Sequence, residues 1–437
     1  MPPAKTDSLP ALAYVYDPLS FAPLSIVAEA KDVCSLIWIV DSSKPEVATV
    51  SRLLERFGPV IDSARLTLEQ VAETVRSHEP DALLSMHDAD LLWTAQLGEL
   101  LGLRFHSYET ALRLTDKHQQ RLALAKAGLP VPAFRVISAD EDSSTVARSC
   151  ASFPFPAVLK PRFGQSSRDT LPVNSFTEFL TALGELRTQG TTADEDFVLE
   201  SFIPDASSEL CGHGFADFVS VESIVENGRV ANATISSRTP FLWPFRETGY
   251  CTPTEVSPSL ASELYQMATD AAHALGVTHS CLHTEIKITD DGPVVIEVNG
   301  RPGGGMSEML ERASGYSILK AALRLACNQP VDLAGPVACS RIGYLLYVFP
   351  DNEIESIDSV EGLSDLSDLA GVDEVVLVRG PGHKIDWREG SEAHVFHLTG
   401  TAESHDELRK VIEASKTVVK ISGHRGASAP GANSAAG

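Results

Sequence analysis

The residues of this chain best suited to chemistry lie between Cys281 and Gly305, in the run CLHTEIKITDDGPVVIEVNGRPGGG. The Asp290–Asp291–Gly292 turn between two strand-like runs predicts a hairpin. A period of two puts His283, Glu285 and Lys287 on one face of the first strand, and Glu297 and Asn299 on a shared face of the second. Val294, Val295, Ile296 and Val298 surround the latter pair. Carboxylates in so apolar a setting are costly unless paired or metal-bound. Mg²⁺ suits them, because it prefers oxygen ligands and is held by one or two carboxylates together with substrate phosphates. Taken singly, Glu285 and Glu297 also read as ordinary solvent-facing strand residues. Together with Asn299, Arg301 and the glycines after it, they read as a metal site. Arg301 adds a planar, fixed cation where a phosphate or acyl-phosphate can sit. Gly303, Gly304 and Gly305 then let the backbone approach a ligand closely.

A glutamate on one strand followed by Glu-x-Asn on the next resembles the metal site of the ATP-grasp superfamily. HTEIK with EVNGRPGGG is similar to the branch of L-amino acid ligases and carnosine-synthase-like enzymes. The resemblance runs over residues 115–325 and more loosely over the flanks. It implies roles for earlier residues. Lys117, opening a helix before the Pro130–Val131–Pro132 stop, approaches ATP phosphate in the family. FPAVLKPRFGQSSRDT places Lys160 at a strand end as a second phosphate contact, followed by a covering loop with Gly164, Ser166 and Ser167. That loop has one glycine where relatives often have two or more. FVLESFIPD resembles the hinge that holds adenine, with Glu200 accepting from the amino group and the Phe202 backbone at the ring edge. For the ribose hydroxyls the resemblance offers Glu209, with Asp217 in reserve. FRETGYCTP resembles a segment whose glutamate lies at the metal or the amine, a place taken here by Glu247. Tyr250 falls where some relatives carry histidine. Gly305, beside Gly304, falls where a relative has a bulky aromatic residue, so the pocket is expected to admit a larger substrate. A surface glutamate and a packing tyrosine are the plainer readings of Glu247 and Tyr250.

The resemblance implies an ADP-forming ligase that joins a carboxylate to an amine through an acyl-phosphate, with ATP and Mg²⁺ (or Mn²⁺) as cofactors. Arg301 and Glu247 would be the catalytic residues, and Glu285, Glu297 and Asn299 the metal ligands. Tyr250, Gly304 and Gly305 would touch an amino acid or peptide substrate. Such ligases often serve natural-product pathways, and many relatives form homodimers. A biotin-dependent carboxylase is the rival within the fold, but Pro-Gly-Gly-Gly comes after Arg301 where those enzymes carry Gln-Val-Glu-His. A D-alanine-type ligase has a shorter chain and a different ending after its asparagine. From another class, a nucleotide-binding module without catalysis would not need Glu285, Glu297, Asn299 and Arg301.

These residues must be positioned by an α/β (α+β) chain of 437 residues, long enough for several domains. The first 110 residues alternate strand-like runs (Ala11–Tyr16, Ser35–Val40, Asp81–Met86) with helical ones (Lys44–Phe57, Leu66–His78). That pattern predicts an open, mainly parallel sheet without the dinucleotide fingerprint. The expected domains are an N-terminal α/β unit over 1–113, a helical connection over 114–152 and an ATP-grasp lid over 153–203. An ATP-grasp unit carrying the metal site is expected over 204–336, then an α/β cap over 337–422 and a disordered tail over 423–437. Helices are expected at Thr115–Ala127, Ser259–Leu275 and His405–Lys416. Cap strands are expected near Ile342–Val348, Glu374–Leu377 and His394–Thr399.

The net charge of −24 supplies no basic footprint for nucleic acid. No run approaches a membrane span, and the first ten residues lack the apolar core of a secretory signal, so a cytoplasmic location is expected. Seven cysteines without a CxxC pair read as reduced thiols.

Overall fold

The computed structural model describes residues 9–189 and 195–426. The expected mixed α/β architecture is present, arranged as three main sheets with helices between them. The first is a four-stranded parallel sheet in the order Val60–Asp62, Ser35–Val40, Ala11–Val15, Ala82–Ser85. Its strands are apolar on both faces because helices cover both. Leu12, Tyr14 and Trp38 enter one core, while Ala13, Ile37 and Ile39 enter the other. Sequence reading missed the short strand Val60–Asp62 and the helix Pro23–Ala30, which is shorter than three turns. Leu68–Arg76 starts at Thr67 with a reciprocal capping box to Gln70.

The second sheet, in the order Phe134–Ile137, Phe197–Ser201, Ala157–Pro161, Leu171–Val173, is antiparallel. The helices Ser143–Cys150 and Phe176–Gln189 back it through Val146, Phe179 and Leu183. The third holds eight antiparallel strands. It begins with the predicted hairpin, Gly292–Asn299 against His279–Thr289, and continues through Phe218–Glu226, Arg229–Arg238 and Gly249–Thr252. Ile342–Val348, Phe396–Ala402 and Val372–Leu377 complete it. The three expected cap strands are therefore outer strands of the sheet that carries the candidate metal residues. The helix Ile318–Ala326 sits between this sheet and the N-terminal one, sharing a core with Leu12, Ile224 and Cys281.

One expected helix is found with slightly shorter bounds, and one expectation, for the tail, is corrected. The helix foreseen over Thr115–Ala127 is present as Lys117–Lys126, preceded by a separate helix, Tyr108–Thr115, that was not foreseen. Asp116 stands between them in an extended conformation, its carboxylate capping the amides of His118 and Gln119. Gly423–Arg425, foreseen in a disordered tail, belongs to the strand Lys420–Arg425, paired with Ile354–Glu361. The rest of that tail, residues 427–437, and the first eight residues lie outside the described ones. All seven cysteines are free thiols. Among the described residues no helix is long and apolar enough to cross a membrane.

Gly292–Asn299 is an edge strand of the large sheet, and its open edge is covered by a side chain. The Gln120 amide donates to the Val298 carbonyl and accepts from the Val298 amide, both at 2.9 Å and buried. It thus reproduces one step of a missing strand beside Glu297. Replacing Gln120 by Leu leaves both backbone groups without partners. The expected loss is about 2 kcal/mol of unfolding free energy, read as a lower urea midpoint at unchanged slope.

Candidate functional site

A cavity of about 1060 Å³ lies where the three sheets meet. Its walls include Lys117, Lys160, Gly164, Ser166, Ser167, Glu200, Phe202, Glu247, Tyr250, Glu285, Glu297, Arg301, Gly304 and Gly305. Fourteen of the sixteen residues singled out for the site in the sequence thus line one space. Asn299 and Glu209 do not.

The hairpin explains the carboxylate pair. Glu285 faces Glu297 directly in the antiparallel register, and a bulge comes at once, since Ile286 pairs with Val295. Two acids are thereby held side by side at the cavity wall. Lys117 lies 3.2 Å from Glu297 and donates at 2.7 Å to the Gly164 carbonyl. It therefore joins the hairpin to the glycine-serine loop. His283 comes within 3.4 Å of Glu285 on one side and contacts Glu222 on the other. Burial alone would discharge this imidazole, but Glu222 and Glu285 push its pKa up to about 9. Burial would likewise raise Glu285, yet His283 and Arg238 hold it ionised, with a pKa of about 2. Two carboxylate oxygen donors in register, both lining the cavity, fit a hard divalent cation. Asn299 shares their face but is 5 % exposed, opposite His283 and behind the cavity wall.

Lys160, at the end of its strand, pairs with Glu200 at 2.8 Å, and burial lowers its pKa. Glu200 also lies 2.9 Å from Arg121 Nε and accepts from Arg121 Nη2 at 3.1 Å. These two cations overcome burial and depress Glu200 to about 2. The Glu200 carboxylate is therefore first of all a counter-ion for Lys160 and Arg121. Beside it, Ser201, Phe202 and Ile203 pass along the cavity wall.

Neither of the two ribose candidates lines the cavity. The chain from Ile203 to Asp217 has no regular structure and turns Glu209 outward. Its side chain is 66 % exposed and lies 3.1 Å from His213. Asp217, the reserve, accepts from the Ala206 amide at 3.0 Å and does not line the cavity. The acid that does line it here is Asp205, which contacts Lys287.

Glu247 and Tyr250 are fixed by Arg238, a buried residue at the end of Arg229–Arg238. Arg238 lies 2.5 Å from Glu247, and its guanidinium lies 4.7 Å from the Tyr250 ring centre. Burial holds the Glu247 carboxyl above the usual range in spite of this partner, and the nearby Glu285 adds to the rise. The Tyr250 hydroxyl donates to the Gly304 carbonyl and lies 2.8 Å from the Tyr347 hydroxyl. Arg301 reaches across to the N-terminal domain, with Asp88 Oδ2 2.8 Å from Nε and 2.5 Å from Nη2.

The glycines are not simply empty space. Gly305 has φ +69°, and a Cβ there would lie 2.5 Å from Leu345 Cδ2. The expected room at Gly305 is thus partly filled by Leu345. At Gly304 an added Cβ would meet nothing nearer than the Tyr250 hydroxyl at 4.0 Å, so the open side is there.

Sequence reading passed over Arg238, Glu222, Asp88 and Arg121. A signal existed for two of them. Glu222 is the one charged residue in the middle of the strand-like run FVSVESIVE, and Asp88 lies just past the carboxyl end of a parallel strand, where open α/β sheets place ligands. Arg121 and Arg238 become recognisable only once their carboxylate partners are in place.

Residues 153–309 match the family model described as an ATP-grasp domain. The chain is 24% identical over 274 residues to alanine–anticapsin ligase of Bacillus subtilis (strain 168), covering 60% of this chain and 57% of that one. It is 22% identical over 346 residues to an L-arginine-specific L-amino acid ligase of Bacillus subtilis, covering 77% and 78%. It thus spans little more than half the length of the first relative. The crystal structure of L-amino acid ligase from Bacillus licheniformis superposes with a TM-score of 0.75 at 19% identity, over 96% of this chain and all of that one. The chain carries an ATP-grasp domain within an ATP-grasp fold, and in sequence and architecture it resembles the L-amino acid ligases.

Proposed function

We propose that this chain is an ATP-dependent carboxylate–amine ligase. It joins an amino acid or related acid to the amine of an amino acid or peptide through an acyl-phosphate, releasing ADP and phosphate. The observation that carries this reading is the convergence on one cavity of two lysines, a register-paired Glu285 and Glu297, and Arg301. The same cavity extends past Gly304 to Tyr250 and Tyr347, which leaves space for substrates beyond a nucleotide.

In this reading adenine lies along Ser201–Ile203, and Lys117 and Lys160 face the phosphates. Both lysines are paired with glutamates, which aims them inside the cavity. Glu285 and Glu297 would hold Mg²⁺, with Asn299 behind them, and the bound ion would offset phosphate charge. The carboxylate substrate attacks the γ-phosphorus, and Arg301, steadied by Asp88, binds the transferring phosphoryl group. The work asked of the protein here is positioning and charge stabilisation. The amine then attacks the acyl carbon and phosphate leaves. The raised pKa of Glu247 suits a group that receives the amine's proton. A reaction drawing on cellular ATP belongs in the cytoplasm.

The direct test is phosphate release from Mg-ATP against a panel of amino acids and short peptides, with mass spectrometry of the products. ADP, phosphate and a product one water lighter than its parts support the ligase. AMP release overturns the acyl-phosphate route. With a productive pair in hand, Glu297→Gln, which keeps the shape and removes the charge, is expected to lower turnover by at least ~10²-fold. Near-full turnover of a folded variant would remove Glu297 from the site.

His283 gives a pH prediction. Its folded pKa is raised from 6.5 to about 9, so its contribution to stability is complete below pH 6.5 and is lost as pH rises through 9. Urea unfolding of the nucleotide-free protein should show stability falling between about pH 7 and about pH 9.5. His283→Gln should be less stable at pH 6.5 and lack most of that fall.

A further inference from the structure

The glycine-serine loop, Gly164 to Asp169, is not held over the cavity by its own sequence. Ser166, Ser167 and Asp169 all have positive φ (59°, 57° and 49°), a region costly for residues with a side chain. Such a loop persists only where its surroundings impose it. Lys117 holds the Gly164 carbonyl and His87 meets Gln165, and the remaining support comes from far along the chain, in the segment Trp387–Ala393. The Ser391 amide donates to the Ser166 carbonyl at 2.9 Å, and the Arg388 carbonyl accepts from the Asp169 amide at 3.0 Å. The Ser166 hydroxyl donates to Glu392 at 3.0 Å. Trp387 packs against the core of the sheet that carries the loop. Gly390 has φ +66° and lies so close under the loop that an added Cβ would strike the Ser166 carbonyl oxygen and lie 2.8 Å from Ser167 C.

The same segment also reaches the other end of the site. The Ser391 hydroxyl accepts from the Glu247 amide at 3.0 Å. One residue thus holds the glycine-serine loop through its backbone and the Glu247 backbone through its side chain.

We propose that Gly390 and Ser391 form a clasp, with Ser391 a positioning residue that couples the phosphate loop to Glu247. This inference rests on the ligase reading above. Its chemical purpose is protection of the acyl-phosphate. If the loop and Glu247 separate, water replaces the amine as nucleophile at the acyl carbon. Phosphate leaves, a proton is released, and the free acid returns, so ATP is spent without an amide.

The experiment compares the full chain with Ser391→Ala, Ser391→Thr and Gly390→Ala, using the productive pair from the substrate panel. Phosphate and amide are both counted, and KM is measured for ATP, acid and amine. Ser391→Ala keeps the amide donated to Ser166 and loses the acceptor for Glu247. Its KM for the amine should rise about tenfold, the value of one hydrogen bond, with phosphate exceeding amide and KM for ATP little changed. Ser391→Thr retains the hydroxyl and should restore the stoichiometry. Gly390→Ala should weaken ATP binding about tenfold or more, measured by calorimetry without the other substrates.

A Ser391→Ala enzyme with one phosphate per amide and an unchanged amine KM overturns the coupling. So does a parallel fall in all constants, which would mark a merely structural role. If Gly390→Ala does not fold, Ser391→Ala still decides the matter. If the wild-type chain makes no amide from any pair, the ligase reading fails. ATP affinity of Gly390→Ala then tests the clasp alone, and unchanged affinity overturns it.

Discussion

Charge that is taken out of water must be answered, and at this site each answer is a structural tie between two segments. Glu285 and Glu297 stand opposite each other in a sheet whose neighbouring strands bury Glu222 and Arg238 among apolar residues. Lys117 answers Glu297, and His283, itself shared with Glu222, answers Glu285. Arg238 answers Glu247, Arg121 and Lys160 answer Glu200, and Asp88 answers Arg301. Removing one partner of a buried pair costs about 3–5 kcal/mol, because the other charge remains buried. The pairs therefore fix where each segment lies. Lys117 brings the helix start to the hairpin, Glu200 brings the second sheet to Arg121, and Asp88 brings the N-terminal domain to Arg301. A site that handles a polyanion needs several cations, and the acids that hold them are what assemble the three sheets around it.

Legibility in the sequence tracks how local each constraint is. The hairpin could be read because its turn, its alternation and its acids all lie within about 25 residues, and period-two logic needs nothing from elsewhere. The strands Ser35–Val40 and Ile342–Val348 were legible in full, being continuous apolar runs. Lys117 and Lys160 were found through motif resemblance, and both line the cavity. The helix Tyr108–Thr115 was not foreseen; it ends at Asp116, which Arg162 holds at 2.6 Å from another sheet. Glu209 was misplaced because loop length and direction between Ile203 and Asp217 leave no periodic trace. The merging of the cap into the large sheet was equally invisible, since strand order is a long-range property. Gly249–Thr252 pairs with Ile342–Val348, a strand far along the chain.

In the proposed ligase, that merging would change how substrate size is controlled. If the cap were a separate lobe, the residue at Gly305 would set the pocket by itself. Instead Leu345 and Tyr347, on the strand Ile342–Val348, stand beside it, and Leu345 already occupies part of the space a side chain at Gly305 would take. Tyr347 in turn bonds Tyr250, and Tyr250 holds the Gly304 carbonyl. The glycine run is thus pinned from the cap side, with His283 and Met306 crowding Gly303 from behind. A larger substrate would extend over Gly304, where the structure is open, towards Tyr347, His394 and His397, which line the same wall. In the proposed ligase, selectivity would then belong to the pairing of Gly249–Thr252 with Ile342–Val348 as much as to the glycine motif. The register of that pairing, Tyr250 opposite Leu345, sets the depth of the pocket.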